Sequence, residues 1–172
     1  MFFGDFPEEE DFVAEGWLIE PPWGIKQAAR QLQGPVAALE WMAAIPDHFL
    51  HVWLGGPISL GGRPATLRGS GAFELTYHHV NCFHSAVVVE ADAPELRRLV
   101  DGTEIDAATF LPHMTIGVTR EAHDPEDLRR VVLPLREVEL GTATVTELKR
   151  VRFPAARTTL LQPWTVIEIV TL

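Results

Sequence analysis

Apolar and polar residues alternate along this chain in short blocks of contrasting period. Ala14 to Glu20 is a brief apolar segment stopped by Pro21-Pro22, which predicts a strand. Between Gly24 and Leu39 the spacing of Ile25, Ala28, Ala29 and Leu32 predicts a helix, interrupted at Gly34-Pro35. Phe49 to Leu54 reads as a strand closed by Gly55-Gly56-Pro57, and residues 55 to 70, rich in Gly, Pro and Ser, as a loop. Ala72 to His78 and Phe83 to Glu90 predict two further strands. A helix follows Asp92, which stands before Ala93-Pro94-Glu95, with Leu96, Leu99 and Val100 as its apolar stripe. Leu111 to Val118 predicts a strand. Asp124-Pro125-Glu126-Asp127 then starts another helix, with proline at its first position and acids in its first turn. The last third predicts strands at about 134 to 140, 143 to 152 and 164 to 171, with a loop at 154 to 163. This order predicts an α+β fold with two sheet-and-helix lobes facing a shared cleft. Residues 13 to 172 are expected to form one bilobal domain behind an acidic arm at 1 to 12.

Composition narrows the partners. The 172 residues are 47% hydrophobic and 22% charged, enough for one domain with a sizeable core. A formal charge of −10 argues against a protein that coats long duplex nucleic acid, where affinity rests on many phosphate contacts. It leaves room for a small nucleotide or an RNA terminus held by a few local cations. Lys26 and Lys149 are the only lysines; the other basic residues are arginines. Cys82 is the only cysteine, so there is no intrachain disulfide and no cysteine-based zinc cluster. The opening run, Met1 to Glu10, lacks the basic-then-apolar build of a secretory signal. No apolar stretch approaches the ~20 residues of a membrane span. The cytoplasm is the expected location, with no membrane partner.

The candidate chemistry lies in two strands. In Phe110-Leu111-Pro112-His113-Met114-Thr115-Ile116-Gly117-Val118, His113 and Thr115 share a face because side chains two apart in a strand point the same way. In His48-Phe49-Leu50-His51-Val52-Trp53-Leu54, His51 and Trp53 do the same. Two histidines facing one another make a general acid–base pair suited to phosphodiester cleavage without a metal or other cofactor, and a nearby hydroxyl can hold a non-bridging oxygen. The competing reading makes both histidines ordinary core residues of an interaction domain. Tyr77, Phe83 and Trp164 are candidate base-stacking platforms, and Arg157 a candidate phosphate ligand. His78 and His79, as strand neighbours, are expected to point to opposite faces and so to be poor co-ligands for one metal.

The chain resembles the 2H phosphoesterase superfamily, which includes the RNA 2′,3′-cyclic phosphodiesterases, also called 2′-5′ RNA ligases. Pro112-His113-Met114-Thr115-Ile116-Gly117 is close to one of that family's two His-x-Thr/Ser motifs, and His51-Val52-Trp53-Leu54-Gly55-Gly56 aligns with the other. Phe73-Glu74-Leu75, Asn81-Cys82-Phe83 leading into Val87-Val88-Val89, and Val145 to Val151 followed later by Pro163-Trp164-Thr165-Val166 extend the likeness over residues 14 to 171. The resemblance implies a bilobal α+β fold with pseudo-twofold symmetry. It also implies a hydrolase in which His51 and His113 exchange protons and Thr115 binds phosphate oxygen. Trp53 stands where the family has Thr or Ser, which sets beside the enzyme a second reading: a nucleotide or RNA-end binding module of the same fold.

Overall fold

The computed structural model describes residues 13–55, 71–100, 109–154 and 162–172. Nine strands and three helices are described. The strands are β1 Val13–Ile19, β2 Met42–Ala44, β3 Val52–Trp53, β4 Phe73–Phe83, β5 Ala86–Asp92, β6 His113–Thr119, β7 Glu139–Val145, β8 Glu147–Pro154 and β9 Thr165–Thr171; the helices are α1 Trp23–Ala37, α2 Pro94–Val100 and α3 Pro125–Val132. All strand pairs are antiparallel. Their order is β7-β4-β5-β6-β3-β1-β8-β9, with β2 pairing β6 as well.

That order is a palindrome in plan. Cut between β6 and β3, it gives two four-stranded halves, β6-β5-β4-β7 and β3-β1-β8-β9. Each contains a strand–helix–strand unit, β5-α2-β6 and β1-α1-β3, whose last strand begins at or just after a histidine. The seam is the pair Val52↔Met114. Both residues are fully buried in the main core with Ala29 and Val36 of α1, Leu96 and Leu99 of α2, and Leu128 of α3. The helices therefore cover one face of the sheet, and the residues flanking Val52 and Met114 are left on the other.

Local chemistry explains the helices and corrects several expectations. Helix α1 runs through Gly34-Pro35 without interruption. Proline at 35 removes the N–H that would bond the carbonyl of residue 31, but Gln31 and Pro35 are both exposed, so that carbonyl is not trapped in the core. Buried Val36 and Gln33 anchor the last turn. The Gln33 amide donates to the carbonyls of Ile45 and Ile116 at 2.7 and 3.0 Å, satisfying a buried polar group. The helix also sits very close to β6: a Cβ on Gly117 would stand 2.6 Å from Val36 Cγ1. At α3 the expected cap is present, with the Asp124 carboxylate accepting the Glu126 N–H at 2.9 Å.

The strand expected at 134 to 140 is not there. Leu133-Pro134-Leu135 forms a 3₁₀ turn, where proline fits the first turn of a helix but cannot donate to a sheet ladder, and β7 begins only at Glu139. The strand expected from Phe49 pairs only at Val52 and Trp53, because Asp47–Phe49 is also a 3₁₀ turn. Strand β2, three residues long, carries no recognisable sequence signal. Strand β4 runs past its expected end to a tight turn at His84-Ser85, and β5 begins after that turn at Ala86 rather than at Phe83 and runs on to Asp92. A bulge lies inside β4, where His79 takes φ 55°. Strict alternation fails there, and the His78 and His79 rings come within 4.3 Å rather than pointing apart. Among the described residues no group of three or more His, Cys, Asp or Glu side chains converges as a metal site would require, and no helix is long and apolar enough to cross a membrane.

Candidate active site

The seam places the two histidines. In an antiparallel pair the register Val52↔Met114 sets residue 51 opposite 115 and residue 53 opposite 113. His51, Trp53, His113 and Thr115 thus form four corners on the face turned away from the core. The two histidines are held the same way. His51 Nδ1 lies 2.7 Å from the carbonyl oxygen of Phe49, and His113 Nδ1 lies 2.8 Å from that of Leu111, each two residues back in the chain. A carbonyl only accepts, so Nδ1 carries the hydrogen in both rings and Nε2 is the basic nitrogen. One local conformation, repeated on both sides of a pseudo-twofold axis, fixes both tautomers.

The surroundings differ. His51 is only 9% exposed and is enclosed by aromatic rings, with centroids of Trp164 at 4.7 Å, Phe49 at 5.0 Å and Trp53 at 6.0 Å. Burial pushes its pKa down to about 3; the Phe49 carbonyl opposes the shift, and the neighbouring His113 adds to it. His113 is half-buried, with the Phe83 ring edge-on at 4.9 Å. Its pKa is also lowered, first by burial, against the pull of the Leu111 carbonyl. Burial thus favours the neutral imidazole at both positions.

The Trp53 ring meets His51 at 6.0 Å while the indole extends over β1. A Cβ on Gly16 would stand 2.1 Å from Trp53 Cη2, so the indole lies across β1 on top of that glycine. Its edge meets Phe153 of β8 at 5.7 Å. There it joins a second, smaller core of Leu18, Val151 and Phe153 on the site side of the sheet, roofed by Phe49 and Trp164.

The structure brings Trp164 to His51 and Phe83 to His113. It does not bring Tyr77, which is fully buried in the main core; burial raises its pKa, and its hydroxyl has no hydrogen-bond partner among the described residues. Arg157 lies outside the described residues. Sequence reasoning missed a carboxylate beside each histidine. Glu90 is the β5 partner of His113. On the other half, the register Leu18↔Trp53 and Ile19↔Val52, carried one step on, sets Glu20 beside His51. Asn81 donates to Glu90 at 2.7 Å, and Arg136 reaches it at 3.5 Å. Both lysines of the chain, Lys26 and Lys149, donate to Glu20 at 2.5 Å. Burial pulls the Glu20 carboxyl up, but these two donors outweigh it and leave its pKa lowered. The available signal is the presence of just two lysines in an arginine-rich chain.

An antiparallel sheet built from two like halves that meet at a seam is the fold that the resemblance to the 2H phosphoesterases implies. Comparison with solved structures agrees. TT0787 of Thermus thermophilus superposes with a TM-score of 0.68 at 17% identity, over 92% of this chain and 97% of that one. E. coli LigT complexed with 3′-AMP gives 0.67 at 18% identity, over 94% and 99%, and a protein described as a phosphoesterase gives 0.66 at 17% identity, over 94% and 99%. At these identities the shared property is the fold. LigT has also been solved with ATP and with NADP+. No family model matches the sequence, nor does any curated protein.

Proposed function

We propose that this chain is a metal-independent phosphodiesterase that opens a 2′,3′-cyclic phosphate, or cleaves a 2′-5′ linkage, at a nucleotide or RNA end. The observation that carries this reading is the paired histidines, each with Nδ1 held by a carbonyl and Nε2 left basic. Hydrolysis needs a base for the attacking water and an acid for the departing ribose oxygen. Two neutral imidazoles supply the base. The acid forms when the phosphodiester anion enters, because a negative charge beside a histidine raises its pKa. One Nε2 takes the water proton as oxygen attacks phosphorus, and the other imidazolium gives its proton to the leaving oxygen. The Thr115 hydroxyl donates to a non-bridging oxygen as charge gathers there. Small nucleotides of the kind seen in the LigT complexes fit this chemistry.

Trp53 favours a second reading. The hydroxyl that would mirror Thr115 is missing, and a protein of this fold can retain nucleotides without turning them over. One experiment separates the two: hydrolysis of 2′,3′-cyclic nucleotides and short 2′-5′ oligonucleotides in EDTA, with wild type beside His51→Ala and His113→Ala. Loss of turnover by about 100-fold or more in each variant is expected of an acid–base pair. Full activity in His113→Ala sinks the mechanism, whereas saturable binding by wild type with no product establishes the binding module.

A further inference from the structure

Strand β7 leaves β4 at His78, so among the described residues the Asn81–Phe83 end of β4 pairs with β5 alone. Along the open edge lie α3 and the 3₁₀ turn after it. Between them is a pocket of about 500 Å³ whose wall includes Asn81, Phe83, Glu126, Arg129 and Arg136. That volume is within the range of small-molecule sites. Two arginines, Arg129 and Arg136, line the pocket, each with one carboxylate within ion-pair reach, Glu126 and Glu90. Their ion pairs are long: Arg129 to Glu126 at 3.9 Å and Arg136 to Glu90 at 3.5 Å. A guanidinium has five N–H donors, so each arginine keeps donors for an anion, and its planar fork suits phosphate.

The pocket is joined to the candidate active site twice. Phe83 lines it, and the same ring meets His113 at 4.9 Å. Arg136 and Asn81 both bond Glu90, the residue paired with His113 across β5 and β6. A strand whose terminal phosphate lies at the histidines would pass Phe83 on leaving them and reach the arginines with its next phosphate.

We infer that this pocket is a subsite for the penultimate nucleotide of an RNA end, with Phe83 stacking a base and Arg129 and Arg136 holding the phosphodiester that precedes the terminal one. The inference rests on the phosphodiesterase reading for where the terminal phosphate sits. It makes the preferred substrate an oligonucleotide end rather than a free mononucleotide.

The test is equilibrium binding in EDTA of two probes, 3′-AMP and an RNA trinucleotide ending in a 3′-phosphate, followed by calorimetry, alongside the turnover assay on their cyclic-phosphate counterparts. Wild type should bind the trinucleotide about tenfold tighter than 3′-AMP. Arg129→Gln with Arg136→Gln should remove most of that advantage. Arg129→Gln alone, on the exposed face of α3 and leaving the Arg136–Glu90 pair in place, should remove part of it while changing 3′-AMP affinity less than about twofold. Equal affinity for the two probes in wild type, an advantage untouched by the arginine variants, or no binding of the trinucleotide each overturns the subsite. An intact, arginine-dependent advantage without turnover would leave the subsite standing and reject the reaction. Turnover of cyclic mononucleotides with no trinucleotide advantage would do the reverse.

Discussion

Trp53 and Gly16 act as one unit. The indole occupies the space a side chain at position 16 would need, with Cη2 2.1 Å from the would-be Cβ. Gly16→Ala must displace a ring packed on Phe153, and we expect a destabilisation of about 1–3 kcal/mol by urea unfolding. Trp53→Thr vacates that space and brings back the hydroxyl that the first motif lacks. In the double variant the alanine should then cost little, leaving a coupling of more than about 1 kcal/mol in the cycle. Additive effects would show that the ring and the glycine are independent. The sequence displays the substitution at 53 but not this consequence, because Gly16 and Trp53 are 37 positions apart (53 − 16) and meet only through the β1–β3 register. Each histidine's own neighbour is legible for the opposite reason: a period of two sets His113 with Thr115 and His51 with Trp53 from local sequence alone.

At the level of elements, legibility follows the strength of local signals. Helix α3 is readable from Asp124-Pro125 and its acidic first turn, and β6 from its β-branched run. Helix α1 departs from expectation at Gly34-Pro35, since a sequence does not reveal that the broken hydrogen bond faces water while Val36 and Gln33 are locked in the core. That explanation has a measurable corollary. Pro35→Ala restores an N–H to the last turn at an exposed position, and it should raise stability by about 1 kcal/mol, allowing for the greater freedom of the unfolded chain. A loss of stability would mean that the ring itself supports the helix end. The mistaken strand at 134 to 140 has a related origin: Leu133, Leu135, Val138 and Leu140 look strand-like in spacing, but all pack against the core from a 3₁₀ turn and the start of β7, except exposed Leu133.

For the whole molecule, the buried histidines tie stability to pH. His51 has a folded pKa of about 3, below its ordinary value near 6.5, so between those limits the unfolded chain holds the extra proton. Its contribution is complete above pH 6.5 and declines as pH falls through that window; His113, also lowered, acts in the same direction. Replacing His51 with Gln keeps an N–H for the Phe49 carbonyl and removes one titrating group. The stability–pH line of the variant should be shallower by about 1 kcal/mol per pH unit near pH 5. Denaturant titrations at pH 7, 6 and 5 check this, and parallel lines for the two proteins would overturn it. The lobed α+β plan can be read from element order and from the resemblance. The pseudo-twofold seam at Val52↔Met114 cannot, since it depends on a pairing between residues 62 apart (114 − 52).

That seam has one more consequence. Two proton carriers related by a twofold axis are interchangeable, and a reaction centre of that kind has no inherent direction: turn the substrate end for end and donor and acceptor trade places. A hydroxyl at both motifs would preserve the ambiguity. Here only Thr115 offers one, while Trp53 lays its ring over Gly16. The scaffold is two-sided but the hydroxyl stands on one side only, so on the proposed reading a phosphate held by Thr115 would have a single orientation. In this protein the departure from its own symmetry is what would give the chemistry a handedness.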